Sequence, residues 1–270
     1  MPYALTDLQR VKDLMSLTNS SLDPVLIREI NSVTEFLRKQ CNRDFLFQKY
    51  ISEIHSEWGA RQKYILLRQK PVFWKTDSVA ITAGSNQITL SNGNGVQAGM
   101  PIAGEGINPN TTITAIVNNV ITISQPANKN SVSADVFING LISLQYRAGT
   151  PDDPQWTGFL QPQFEIVAPG DSGAVRIYGF ISSIYNNTIK ATYWAGWLID
   201  WENAGDNLKH TLPSDITRTC ENIVIRWFKR AELAGKSSQS LEGSTISYRD
   251  LMDDQDKQVI NSYKVVPNVM

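Results

Sequence analysis

DPVLIREINSVTEFLRKQCN, residues 23–42, carries its own start and stop signals. Asp23 offers a carboxylate cap, and Pro24 sits where a first-turn residue has no use for an amide donor. Leu26, Ile27, Ile30, Val33, Phe36, Leu37 and Cys41 recur at three- and four-residue spacing, which predicts a helix with one apolar face. Asn42 suits the left-handed residue that ends such a helix. From Pro24 to Cys41 the rise would be roughly 27 Å. Upstream, Thr6 or Asp7 is placed to cap a shorter helix, with Gln9 completing a capping box from Thr6. Leu8, Val11, Leu14 and Met15 give that helix its face, and 18–22 is a polar turn. Near the other end, Pro213 and Ser214 open a second long helix. Its stripe is Ile216, Cys220, Ile223, Val224, Trp227, Phe228 and Ala231, and Gly235 is its stop. Both helical blocks, 5–41 and 213–234, are amphipathic and capped.

Between them the period changes to two. Residues 51–54 and 64–67 read as strands around a polar turn at 57–62, and 71–75 as an edge or crossing segment. Residues 78–139 differ in composition, with only Glu105, Lys129 and Asp135 charged and Phe137 the sole aromatic. β-Branched runs at 87–90, 111–117, 120–124 and 131–138 alternate with Gly84-Ser85, Asn92-Gly93, Asn108-Pro109 and Asn118-Asn119, the chemistry of turns. This stretch reads as a small β-sandwich or barrel inserted in a host. A long excursion from a surface hairpin adds little closure entropy. The host resumes at 141, with strands at 164–167 and 174–178 around Pro169-Gly170-Asp171-Ser172-Gly173, and a further strand at 188–193. The expected class is α+β: a helical platform of two N-terminal helices and a long C-terminal helix, antiparallel hairpins and an inserted all-β module. The domains so drawn are a core of 1–77 with 140–235, the module 78–139, and a linker and tail at 236–270.

Bulk properties exclude several roles. With 41% hydrophobic and 19% charged residues the chain is not broadly disordered. A net charge of -1 gives no global pull toward nucleic acid or anionic membrane, so a DNA contact would be local. Cys41 and Cys220 have no metal spacing and make no disulfide framework; both fall on apolar helical faces and read as buried thiols. No run is apolar for ~18 residues, and the start lacks a secretory pattern, so the expected origin is a reducing cytoplasm.

Gly170-Asp171-Ser172-Gly173 has the tetrad that surrounds the nucleophile in chymotrypsin-like proteases. That chemistry requires a histidine base, an orienting acid and an oxyanion hole. His55 and His210 are the only histidines, neither in a matching context, and the tetrad is also an ideal turn between strands. His55 reads as a surface or interface residue and His210 as a loop residue. Gly93-Asn94-Gly95 lacks the helix and lysine of a phosphate loop. No catalytic, cofactor or metal residue is assigned. Arg226, Lys229 and Arg230 share a face, either complementing their own helix end or facing a partner or DNA. Trp156, Trp194, Trp197 and Trp201 crowd loop-like sequence and suggest a subunit interface. The acidic tail carries Tyr248, Leu251, Met252, Val259, Ile260, Tyr263, Val265 and Val266, apolar surface suited to folding onto a partner.

In order along the chain, these segments resemble the phage head-to-tail connector family, also called adaptor or head-completion proteins. The resemblance rests on the capped helix leading through Phe36-Leu37 to Cys41-Asn42-Arg43-Asp44-Phe45, then on 65–72, which ends Arg68-Gln69-Lys70-Pro71-Val72. It continues through Gln163-Phe164-Glu165-Ile166, Ala174-Val175-Arg176-Ile177 and the run 191–197. It closes with Leu212-Pro213-Ser214-Asp215-Ile216 and Trp227-Phe228-Lys229-Arg230. The likeness implies a structural, non-enzymatic virion protein of the neck, made in the host cytoplasm. It would form a ring, typically of twelve copies, beneath the portal. Such a ring extends the channel for double-stranded DNA without reading its sequence, makes no membrane contact, and offers a docking surface to the next neck or tail protein. In that family the C-terminal segment clasps the portal, which maps onto 244–270 here. The module at 78–139 exceeds the family's usual short hairpin. The alternatives are a serine hydrolase using the Gly-Asp-Ser-Gly turn, and a decoration or carbohydrate-binding protein acting through 78–139.

Overall fold

The stripe on residues 26–41 finds its partners on three other helices. A computed structural model supplies the fold and describes residues 4–55, 64–149, 153–159, 163–167, 171–178, 188–232 and 252–265. Its helices are α1 (Leu8–Met15), α2 (Asp23–Cys41), α3 (Ser214–Glu232) and α4 (Asp254–Tyr263). Leu26, Ile30, Val33, Leu37 and Cys41 of α2 and Ile216, Cys220, Ile223 and Val224 of α3 are wholly enclosed. Phe36 and Trp227 meet at 5.4 Å beside them. Each enclosed aliphatic side chain contributes about 1.5–3 kcal/mol.

The caps differ from the sequence reading in detail. α2 begins at Asp23 itself, and Leu22 is an N-cap without a side-chain bond. The Asp23 carboxylate pairs with Lys12 at 2.7 Å, still beside the positive helix end. Asn42 ends the helix at φ 50 as expected. At α1 the cap is Asp7, accepting from Gln9 N at 3.1 Å. The box from Thr6 does not form, because its buried hydroxyl donates to Glu221 and the Gln9 amide binds Asp13. The Gly235 stop, the linker at 236–244 and the turn at 57–62 lie outside the described residues.

Two compact units divide the chain: Met1–Phe45 with Ile199–Met270, and Leu46–Leu198. The four helices belong to the first. The second holds β1 (Gln48–His55), β2 (Tyr64–Leu66), β3 (Trp74–Ile81), β4 (Gln87–Thr89), β5 (Ile102–Gly104), β6 (Ile113–Val117), β7 (Val120–Ile123), β8 (Ser131–Asn139), β9 (Leu141–Gly149), β10 (Pro154–Gly158), β11 (Phe164–Ile166), β12 (Ala174–Ile177) and β13 (Ile189–Ala195). The mixed α+β class is therefore observed, with antiparallel sheets in the orders β1-β13-β9-β10, β11-β12-β2, β3-β8-β5 and β4-β7-β6.

The first two sheets share a core that includes Ile65, Leu144, Ile166, Val175 and Tyr193. The other two share a second core, rich in isoleucine and drawn from residues 79–138, with Phe47, Phe73 and Trp194 packed on it. Strand partners are less local than the sequence suggested. The strands at 51–54 and 64–67 do not pair with each other: β1 pairs with β13 and β2 with β12. The alternating burial of β13, Ile189 in and Lys190 out through to Ala195 in, matches this register. The segment at 71–75 is the entry to a full strand, since β3 pairs with β8 from Trp74↔Asn139 to Ile81↔Ser131. The compositional boundary at 78 falls inside that strand. By packing, 46–77 and 140–198 stay with 78–139 in one unit.

Candidate functional site

α4 begins with a reciprocal capping box: Asp253 accepts from Asp256 N at 2.8 Å while the Asp256 carboxylate accepts from Asp253 N at 3.0 Å. Asp256 is 2% exposed and is neutralised by Arg226 of α3, which also reaches Asp253 at 2.5 Å. The hydrogen bond from Asp256 N and the Arg226 charge hold the Asp253 carboxyl below its usual range. Ile260, 5% exposed, inserts at the end of α2, where Cys41 Sγ lies 3.7 Å from the Ile260 carbonyl. Tyr263 donates to Asp215 at 2.7 Å and packs on Phe45 at 6.0 Å, and its carbonyl accepts from Arg43 at 3.2 Å. The chain then turns so that Val265 N donates to Cys41 O at 2.8 Å, satisfying a carbonyl that the end of α2 would otherwise leave open.

This geometry revises the sequence assignments. Arg226 is paired with Asp253 and Asp256 of its own chain, whereas Lys229 and Arg230 are exposed. Of the residues expected to bind the portal, Ile260 is buried and Tyr263 is half-buried in this chain, while Met252, Val259 and Val265 keep partial exposure. Tyr248, Leu251 and Val266 lie outside the described residues. The revision has a simple cause: an acidic N-cap and one isoleucine complement Arg226 and the end of α2, and residues so distant in sequence give no sign of this.

Within the β unit, Trp156 and Trp194 lie apart. Trp156 on β10 sits opposite Arg147 under the Lys190 ammonium at 4.2 Å. Trp194 on β13 stacks on Phe47 at 5.2 Å, near the opposite end of β9, where its backbone N–H donates to the Gly140 carbonyl. At ~3.3 Å per residue, that separation along the sheet is roughly 20 Å. Trp197 bridges Leu46 in the same unit. Trp201, in the helical unit, donates to Ala4 O at 3.1 Å and packs on His210 at 4.4 Å.

Ser172 and the two histidines weighed for the hydrolase alternative each have a local partner. Ser172 Oγ accepts from Ala174 N at 3.1 Å and closes a turn, with Gly173 at φ 65. His55 is not a free surface residue, because its Nε2 lies 2.8 Å from Glu53. His210 accepts from Asp200 N at 3.2 Å, and burial lowers its pKa. Burial also raises the Cys41 thiol to about 11 and Cys220 to about 12, so neither is poised as a nucleophile. Among the described residues no His, Cys, Asp and Glu side chains gather as a metal site, and no helix is long and apolar enough to cross a membrane.

One surface went unread in the sequence. Tyr64, Arg176 and Glu165 form a rung across β2, β12 and β11, with Tyr178 beside it. Arg176 Nε donates to Tyr64 Oη at 2.8 Å, and the guanidinium lies over both the Tyr64 and Tyr178 rings. Tyr64, Leu66 and Tyr178 are 43%, 53% and 56% exposed, and on the edge strand β1 Ile51 reaches 71%. Period-two alternation marks these side chains as outward; which strands they join could not be read. No family model matches the chain, and no curated protein matches it significantly.

Proposed function

We propose that this chain is a structural subunit of a phage neck: a ring-forming head-to-tail connector that docks under the portal, extends the DNA channel and receives the next neck or tail protein. One observation carries most weight beside the resemblance. The likeness-bearing stretch at 65–72 enters, through β2, the same sheet as the hairpin stretches 163–166 and 174–177 about ninety residues further on, and the outward side of that sheet β11-β12-β2 is the Tyr64–Arg176–Glu165 rung. Tyrosine and arginine are the side chains most enriched where interfaces concentrate their binding energy. In this reading the four helices are the platform and residues 78–139 are an insertion with its own core. The exposed Ile51, Tyr64, Leu66 and Tyr178 meet a neighbouring copy, a heterologous contact whose rotation closes. The tail contacts the portal through 245–270, where Met252, Val259 and Val265 are accessible without undocking α4.

Co-sedimentation with the cognate portal tests the proposal. The full chain is expected to travel with the portal as a multimer, and a variant lacking 245–270 to stay folded and remain behind. A chain that never co-sediments contradicts the reading, and unchanged binding after deletion contradicts the role of the tail.

A further inference from the structure

We propose that α4 is an exchangeable strap: the face of α2 and α3 that receives it also takes the α4 of a second copy of this chain, through the same contacts. The receiving face does not rest on the strap alone, since α2 and α3 also pack on each other, with Phe36 and Trp227 meeting at 5.4 Å. What it adds for a visitor is specific. Arg226 takes a two-carboxylate cap, the Cys41 carbonyl takes the Val265 N–H, Arg43 takes the Tyr263 carbonyl, and Asp215 takes the Tyr263 hydroxyl. α4 supplies all the complements within fourteen residues, 252–265.

The strap is short and lightly buried. A helix of 10 residues is below the length that is stable alone in water, so its helicity depends on docking. Ile260 is its one deeply buried apolar side chain; apart from the ring contact of Tyr263 with Phe45, the described attachment is mainly ionic or hydrogen-bonded. A latch of that kind opens locally without unfolding the helices beneath it. The chain between 232 and 252 reaches roughly 60 Å when extended, several times the length of α4 itself. The sequence therefore does not tie α4 to its own α2. Where copies crowd together, as in the ring proposed above, the neighbour's strap is present at an effective concentration comparable with the subunit's own. Exchange creates no new interface, because every contact is the one already seen.

The inference rests on the ring reading for crowding, and its test separates the two. Full-length chain grown with light and with heavy nitrogen is mixed at high concentration, incubated and treated with a short amine cross-linker. Links between Lys264 of the strap and Lys39 of α2 are then sorted by isotope. Mixed-isotope links that increase with protein concentration are expected, approaching half of all 39–264 links in an equal mixture if exchange is complete. Links that stay within one isotope at every concentration overturn the proposal. As a second measurement, Ile260→Cys in a Cys220→Ser background is oxidised, so that a bond to Cys41 reports the pairing directly. Covalent multimers support exchange, and monomers alone, bonded or not, oppose it. Native mass spectrometry of the same mixtures shows whether rings exist. Rings with same-isotope links sink the strap but not the ring, and mixed links without rings do the reverse.

Discussion

Glu53 shows how one side chain can tie distant segments together. Its carboxylate accepts from Tyr193 Oη at 2.6 Å and from Arg68 N at 3.0 Å, and lies against His55. Burial alone would raise its pKa, but the bonds from His55, Tyr193 and Arg68 N outweigh it and hold the carboxyl below its ordinary 4.5. A depressed folded pKa means that the stabilisation is present above the unfolded value and is lost as pH falls through the folded one. Urea midpoints measured from about pH 6 to about pH 3 are therefore expected to fall less steeply for Glu53→Gln than for the natural chain. At neutral pH that variant should be weaker by about 1–3 kcal/mol, since buried donors lose their charged acceptor. Parallel acid limbs would contradict this account of Glu53. Ser172 lies at the other extreme. Its exposed turn bond predicts that Ser172→Ala costs no more than about 1 kcal/mol and abolishes no activity.

At the scale of elements, α2 and α3 behave as ordinary amphipathic helices. Ile223→Ala in the enclosed seam is expected to destabilise the chain by about 2–5 kcal/mol in denaturant melts, and an effect under 1 kcal/mol would mean the seam is not packed as described. α4 is more delicate. Removing the latch with Arg226→Ala should raise the labelling rate of Cys41 by about tenfold or more and leave Cys220 protected, because only Cys41 lies under the strap. Equal exposure of both thiols would indicate global loosening instead. Gly196 sits at φ +106 with Leu46 O only 2.4 Å from where a Cβ would stand. Gly196→Ala should accordingly disrupt the crossing of β13 with the segment before β1, lowering stability by several kcal/mol.

These elements also show where sequence reading succeeds and where it stops. The helices at 23–41 and 214–232 were legible because caps, stripe and terminator agree within one local window. The strands at 87–89, 113–117, 120–123 and 131–139 were legible because turn dipeptides rich in asparagine, glycine and proline punctuate β-branched runs. β5 was missed, being three residues that follow a proline and end in a glycine. The β1–β13 pairing joins segments about 140 residues apart and leaves no local trace. The docking of α4 was hidden for the same reason: the tail reads as acidic with scattered apolar residues, and nothing near Asp253 and Asp256 in sequence names Arg226 as their partner.

For the whole molecule, a helical unit and a β unit share one chain, and its described residues present an exposed tyrosine–arginine rung. That rung, with the ordered likeness to connectors, supports the proposal of a protein that works by assembling. Native mass spectrometry of the purified full-length chain, alone and mixed with its portal, tests that claim most directly. The account predicts a closed ring of about twelve copies, free or formed on the portal. A monomer that stays a monomer with portal present would contradict it.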